Sequence, residues 1–161
     1  MIDQKALKEI LLYDPTTGTF TWICSLSNRA PIWSVAGSLR KDGRVQIRIL
    51  GRIYFAHRLA WLWMTGDWPR SLIDHRNLDP SDNRWSNLRE ATNSQNMANA
   101  GVYKNNALKL KGVRFQAGKY EAHITVNHRQ VYLGRYQTAK EAQGRYFEEA
   151  HRIHGEFARG A

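Results

Sequence analysis

Cysteine occurs once in 161 residues, at Cys24, so the chain can close no internal disulfide and build no Cys-rich zinc cage. Long apolar runs are also missing. The longest, Leu59 to Met64, falls far short of the ~20 residues needed to cross a bilayer. No positively charged start followed by an apolar run and a small-residue cleavage site opens the sequence, which points away from secretion. Acidic residues are scarce: 14 Asp+Glu stand against 24 Lys+Arg, for a formal charge of +10. Hydrophobic residues (42%) and aromatics (11%) are plentiful enough for a packed core, which excludes a disordered basic tail. The expectation is a soluble, intracellular, cytoplasmic protein with no membrane association.

A basic excess of this size points to a polyanion, because Lys and Arg that neutralise phosphates release condensed counterions. The charge is uneven. Residues 1–100 hold 13 basic and 9 acidic groups, residues 101–161 hold 11 and 5, so the shorter segment is the more densely positive. That makes it the expected binding module.

Punctuation along the chain suggests two folded parts. Asp3 can cap a helix carrying Leu7, Ile10 and Leu11, which Tyr13-Asp14-Pro15 should stop. Thr17-Gly18 turns into a strand at Phe20–Ile23, and Asp42-Gly43 signals a hairpin before the alternating Val45, Ile47 and Ile49. Arg58 to Met64 reads as a short buried helix. Leu72-Ile73 starts a strand that runs into a polar loop, a second short strand follows, and Thr92 with Gln95 has capping-box spacing at the start of a helix. Asn99 to Ala107 is small and polar, as in a linker. Beyond it come strands at Gly112–Phe115, Lys119–Val126 and Arg129–Tyr136, with a turn at Asn127-His128. A helix then opens on a second capping box, Thr138 to Glu141. The expected division is a domain over 1–99, a linker over 100–107 and a second domain over 108–161.

Chemistry concentrates at residues 74 to 96. Asp74 is a hard oxygen ligand suited to Mg²⁺ or Mn²⁺, and His75 is suited by its pKa to take a proton from water near neutral pH. A continuing strand would send the two side chains to opposite faces, whereas a bend would let both reach one site. Asn87 and Asn96 add amide oxygens that can orient an imidazole or ligate a metal. These are the parts of metal-assisted phosphodiester hydrolysis. His57, just before the apolar helix, is expected to be a buried, hydrogen-bonded structural histidine.

Ile73-Asp74-His75, Asp82-Asn83-Arg84-Trp85-Ser86-Asn87-Leu88-Arg89 and Thr92-Asn93-Ser94-Gln95-Asn96 together resemble the HNH homing endonucleases of bacteriophages. The likeness extends upstream through Ala56-His57-Arg58-Leu59-Ala60-Trp61, so it covers roughly residues 35–99. It implies an α+β chain with a ββα-metal (HNH, His-Me finger) nuclease domain. Asp74 and Asn96 would hold one divalent cation, His75 would act as general base, and Asn87 would fix the His75 ring. Asn96 stands where many members carry His, which favours Mg²⁺ or Mn²⁺ over zinc. Products would carry 5′-phosphate and 3′-hydroxyl ends. Arg76 and Arg84 flank the site and are candidates to hold the phosphates of the scissile strand.

In the C-terminal part, alternation places Tyr120, Ala122, Ile124 and Val126 on one face of a strand, and Lys119, Glu121, His123 and Thr125 on the other. Val131 and Leu133 should share the apolar side, with Gln130 and Tyr132 opposite. Lys111-Gly112-Val113-Arg114, Gly118-Lys119-Tyr120, Tyr132-Leu133-Gly134-Arg135-Tyr136 and Thr138-Ala139-Lys140-Glu141-Ala142 resemble the plant ethylene-response-factor DNA-binding domain. The resemblance implies a small three-stranded antiparallel sheet packed on one helix, with its other face in the major groove. By position, Lys111, Arg114, Gln116, Lys119, His123, Thr125, Gln130 and Tyr132 would face the groove. Gln116, Thr125 and Gln130 replace the Arg usual in plant members, so their sequence preference does not transfer.

The expected function is therefore an endonuclease, a hydrolase that nicks double-stranded DNA. It would act as a monomer with no obligatory protein partner evident and be targeted by its C-terminal domain. The rival is a non-catalytic, sequence-specific DNA-binding regulator that keeps the nuclease fold as a platform.

Overall fold

The structure, a computed structural model, describes residues 1–26, 30–102, 105–126 and 129–159. It is mixed α+β and divides into two compact units, Met1–Ala91 and Thr92–Ala161. The expected turn at Asn127-His128 lies outside the described residues.

In the first unit Asp3 caps α1 (Gln4–Ile10), its carboxylate accepting from the Ala6 amide at 2.8 Å. The helix ends earlier than its apolar spacing suggests. Leu11–Asp14 forms β1 and pairs antiparallel with β2 (Thr19–Trp22). The Asp14 carboxylate ties down the intervening turn through the Thr16 amide (2.8 Å) and the Thr16 and Thr17 hydroxyls. This closed hairpin competes successfully with one more helical turn. β3 (Ser38–Leu39), β4 (Val45–Ile49) and β5 (Arg52–Phe55) form an antiparallel meander in that order. α2 (Ala56–Thr65) follows directly and ends on Gly66, whose left-handed backbone (φ 89°) lets its N–H reach the Leu62 carbonyl. Leu7, Leu11, Phe20, Ile47, Ile49, Leu59 and Leu62 make the solvent-free centre of the core, so α1, the β1–β2 hairpin, β4 of the meander and α2 share one apolar interior.

The last pair in this unit is a ribbon, β6 (Leu72–His75) against β7 (Leu88–Ala91). Register sets Asp74 opposite Arg89 and His75 opposite Leu88. A 3₁₀ turn, Trp85–Asn87, leads into β7. The loop between the strands rests on the first hairpin. The Tyr13 hydroxyl donates to the Asn83 carbonyl (2.6 Å), and the Trp85 amide donates to the Pro15 carbonyl (3.0 Å). Gly18 (φ 75°) sits so close that a Cβ there would fall 2.4 Å from the Arg84 amide nitrogen. A side chain at position 18 would push the loop away.

In the second unit α3 (Asn93–Asn99) opens on the Thr92–Gln95 capping box. β8 (Val113–Gln116), β9 (Lys119–Val126) and β10 (Arg129–Tyr136) form an antiparallel sheet in the order β10-β9-β8. α4 (Ala139–His154), opened by the Thr138–Glu141 capping box, covers one face with Ala142, Tyr146 and Ala150. Val131, expected on the covered side, is 43% exposed. β10 is an edge strand, and its pairing shifts register between Tyr132 and Gly134, so Val131 has a strand neighbour on one side only.

Candidate active site and nucleic-acid interface

Asp74 and His75 are the last two residues of β6 and both are buried, at 4% and 8% exposure. Consecutive strand residues face opposite ways, so burial of both means that the end of the ribbon is covered on each side. Asp74 Oδ2 accepts from Arg89 Nε at 2.9 Å, and Arg89 is itself only 7% exposed. The pair is the direct product of strand register: a carboxylate and a guanidinium placed opposite each other in the ribbon.

His75 has different neighbours. Its Nε2 lies 3.4 Å from Asn83 Oδ1, and its ring meets that of His57 edge-on, with centroids 5.2 Å apart. Burial pushes the His75 pKa down, against the Asn83 contact and the charge of Asp74, which push it up. A neutral imidazole is the form that accepts a proton. The tautomer that protonates Nε2, facing Asn83 Oδ1, carries its basic lone pair on Nδ1.

Asn87, expected to fix the His75 ring, is engaged elsewhere. Its Oδ1 accepts from the Asn77 amide (3.0 Å), and its Nδ2 donates to Asn77 Oδ1 (3.0 Å) and the Asp82 carbonyl (2.8 Å). These bonds close the loop leaving β6 onto the 3₁₀ turn before β7, so Asn87 acts on the His75 end of the strand through the backbone. The side-chain amide at the ring belongs to Asn83. Asn96 lies in the second unit, half-buried in the middle of α3.

Of the flanking arginines, Arg76 is exposed and its amide donates to the Asn87 carbonyl (2.9 Å). Arg84 grips Asp82 through two contacts, Nε to Oδ1 at 2.8 Å and Nη2 to Oδ2 at 2.5 Å. That side-chain bonding holds the Asp82 carboxyl down at about 2.

His57 is buried as expected, at 7% exposure, but its Nδ1 has no hydrogen-bond partner. An unmet buried polar atom costs about 1–3 kcal/mol. The ring stacks on Phe55 at 5.5 Å on one side and meets His75 on another. Burial, then the charges of His75, Arg44 and Arg58, push its pKa from 6.5 to about 3. Between those values the unfolded chain binds a proton that the folded chain refuses. The His57 contribution is therefore intact above 6.5, and stability falls by about 1.4 kcal/mol per pH unit as pH drops below it. Urea midpoints compared near neutrality and about two units lower should show this loss in the native sequence, and a smaller loss in His57→Phe.

Sequence reasoning passed over three neighbours of the site. Arg89 stands in the quoted motif, but its pairing with Asp74 depends on register. Asn83 stands there too, in a loop whose closure brings it back to His75. Arg44, on the turn into β4, lies near enough for its charge to depress both His57 and His75. With Arg40 and Arg48 it forms an exposed basic side of the meander. The signal available was the run of cations at 40, 41, 44, 48 and 52 against the single acid Asp42.

In the second unit Arg114, Gln116, Lys119, Thr125, Gln130 and Tyr132 are exposed and His123 is partly so. They form a connected polar surface: Arg114 Nε donates to His123 Nε2 (2.9 Å) and Nη2 donates to Gln130 Oε1 (3.0 Å). Tyr132, 57% exposed, covers the His123 ring at 5.3 Å. Glu121, unwelcome beside phosphate, is neutralised by Arg135 at 3.2 Å and Arg114 at 3.8 Å.

Lys111 departs from its expected groove-facing place. Its Nζ donates to the carbonyls of Met97 (3.0 Å), Ala98 (2.5 Å) and Ala100 (2.7 Å), at the C-terminal end of α3. Unsatisfied carbonyls and the negative end of the helix dipole draw a cation there, and partial burial pushes the lysine down to about 8. Lys111→Ala should therefore lower thermal stability and leave the salt dependence of DNA binding unchanged. Lys119→Ala should leave thermal stability unchanged and reduce the log–log salt slope by about 1. Melting curves and a salt titration of binding separate the two.

Residues 54–98 match the family described as HNH endonuclease. The matched segment runs from β5 through α2, β6 and β7 into α3, and contains Asp74, His75, Asn87 and Asn96. The match is to an HNH endonuclease family over that segment, and it supports the enzyme class expected from the sequence, a DNA endonuclease. Among solved structures the chain is similar to one described as "DNA binding and cleavage by the HNH homing endonuclease I-HmuI". The two share 18% identity over 95% of this chain and 90% of that one, with a TM-score of 0.47. At that identity and score the likeness carries nothing about chemistry. No curated protein matches the chain. No helix among the described residues is long and apolar enough to cross a membrane.

Proposed function

We propose that this chain is a metal-dependent HNH endonuclease that nicks double-stranded DNA, held on its substrate by the C-terminal sheet. The observation that carries the proposal is the His75 imidazole, buried and kept neutral, at the end of the strand that also presents Asp74. In chain order β6, β7 and α3 follow the pattern of a ββα-metal finger, with Asp74 and His75 on the first strand and Asn96 on the helix.

The donor set fits a hard cation. Asp74 offers a carboxylate and Asn96 an amide oxygen, and ions such as Mg²⁺ and Mn²⁺ take few protein ligands and keep waters or substrate oxygens. Among the described residues no three His, Cys, Asp or Glu side chains are grouped to hold a metal, and a site of one carboxylate and one amide needs no such group. When bound, the cation offsets negative charge that builds on the phosphate during attack. Arg89 fixes the orientation of the Asp74 carboxylate. His75 takes a proton from the attacking water at Nδ1, while Asn83 holds the far side of the ring. Asn87 keeps the loop closed so that His75 stays at the strand end. One such site in a monomer cuts one strand, by breaking the P–O3′ bond and leaving a 5′-phosphate and a 3′-hydroxyl.

The exposed face of the C-terminal sheet, with Arg114, Gln116, Lys119, His123, Thr125, Gln130 and Tyr132, supplies DNA contacts. Arg76, Arg84 and the basic side of the meander add contacts near the cut. Linking two weak contact surfaces raises the effective concentration of each at the DNA. Product ends test the chemistry. Plasmid nicked in Mg²⁺ or Mn²⁺ should be resealed by DNA ligase without prior end repair. Nicks that ligase cannot close until a 3′-phosphate is removed would reject the proposed direction of bond cleavage.

A further inference from the structure

His57 is the one buried side chain among the described residues whose polar atom has no hydrogen-bond partner, and it lies against the proposed general base. Packing does not explain a histidine there. The site is apolar on the Phe55 side, the ring is 7% exposed, and burial holds it neutral far below ordinary working pH. A phenyl ring would fill the same space without burying an unmet nitrogen. The chain keeps the nitrogen at a cost in stability, and such costs are characteristic of groups needed for activity.

We propose that His57 is a positioning residue for the His75 imidazole, and that its Nδ1 takes a hydrogen bond only in the DNA-bound enzyme. The geometry suits that role. Phe55 backs the His57 ring, and the edge-on contact between the two imidazoles (interplanar angle 80°) blocks rotation of His75 away from the strand end. Because His57 begins the body of α2, immediately after Ala56, its ring is carried by a rigid element. Its contact in the site is with the His75 ring, so the role assigned to it is to act through His75. The inference rests on His75 being the base.

The experiment is steady-state nicking of supercoiled plasmid in Mg²⁺ by the full chain and by His57→Phe, His57→Asn and His75→Ala, with melting curves for each. His57→Phe should melt higher than the native sequence, yet its kcat should fall roughly 10–100-fold with KM for DNA unchanged. His57→Asn, which keeps a polar atom near the Nδ1 position, should recover part of that kcat. A folded His57→Phe protein with native kcat, beside an inactive His75→Ala, would show that the His57 nitrogen is dispensable, which overturns the proposal and leaves the base assignment standing. Undiminished nicking by His75→Ala would instead remove the premise. If His57→Phe fails to fold, His57→Asn is compared with His57→Ala in the same assay: a higher kcat in His57→Asn supports a role for the polar atom, and equal kcat values overturn it.

Discussion

His75→Ala is expected to lower the nicking rate by about 10²–10⁴-fold, the range associated with loss of a general base. The loss should fall on kcat, because His75 is buried at the end of β6 and contributes no exposed charge for DNA to meet. Binding measured without metal should be unchanged, and the melting temperature should show that the protein is folded. The expectation follows from two features of the site. Burial favours the uncharged ring, so most of the protein carries a competent base at neutral pH. The contacts with His57 and Asn83 restrict the ring before substrate arrives, so little of the barrier is spent on orienting it.

The second large effect concerns stability. Arg89→Ala should destabilise the fold by roughly 3–5 kcal/mol, because it strips the guanidinium from a carboxylate that is almost wholly out of water. An exposed pair of the same length would be worth under about 1 kcal/mol. The number comes from removing the cationic neighbour of a buried carboxylate and is not the net worth of the ion pair. A double-mutant cycle separates the two: Arg89→Met should be far less harmful in an Asp74→Asn background than alone. Urea midpoints of the four proteins supply the measurement, and equal penalties for Arg89→Met in both backgrounds would reject a direct coupling. Arg89→Met should also slow nicking, since a carboxylate without its partner loses its fixed orientation.

Local signals made much of this fold readable from the sequence. Both capping boxes, at Thr92 and Thr138, appear where the spacing of Thr and Gln or Glu puts them, because the bonds involved span three residues. The hairpin at Asp42-Gly43 and the alternation of β9 are readable for the same reason. What escaped was set by pairing at a distance. The Asp74–Arg89 bond spans 15 residues and needs the register of β6 and β7, which a polar loop of turns and bends does not disclose. Asn87 is assigned to the ring and Asn83 has no role in the sequence reading for a related reason. Both amides lie in the same loop, and only its closed conformation shows that Asn83 reaches the ring while Asn87 bonds Asn77 and Asp82. Lys111 is placed at the groove by the family resemblance alone, whereas the carbonyls ending α3 lie 11 to 14 residues upstream of it. The extra length given to α1 had a simpler cause, since apolar residues at 7, 10 and 11 satisfy a helix and a helix-to-strand junction equally.

A covalently closed plasmid incubated with the protein, once with Mg²⁺ and once with excess EDTA, tests the central claim most directly. Open circles should accumulate with Mg²⁺ and be absent with EDTA. Plasmid that is bound and retarded under both conditions, yet still closed across a panel of divalent metals, would contradict a hydrolytic site at Asp74 and His75 and identify a DNA-binding regulator instead.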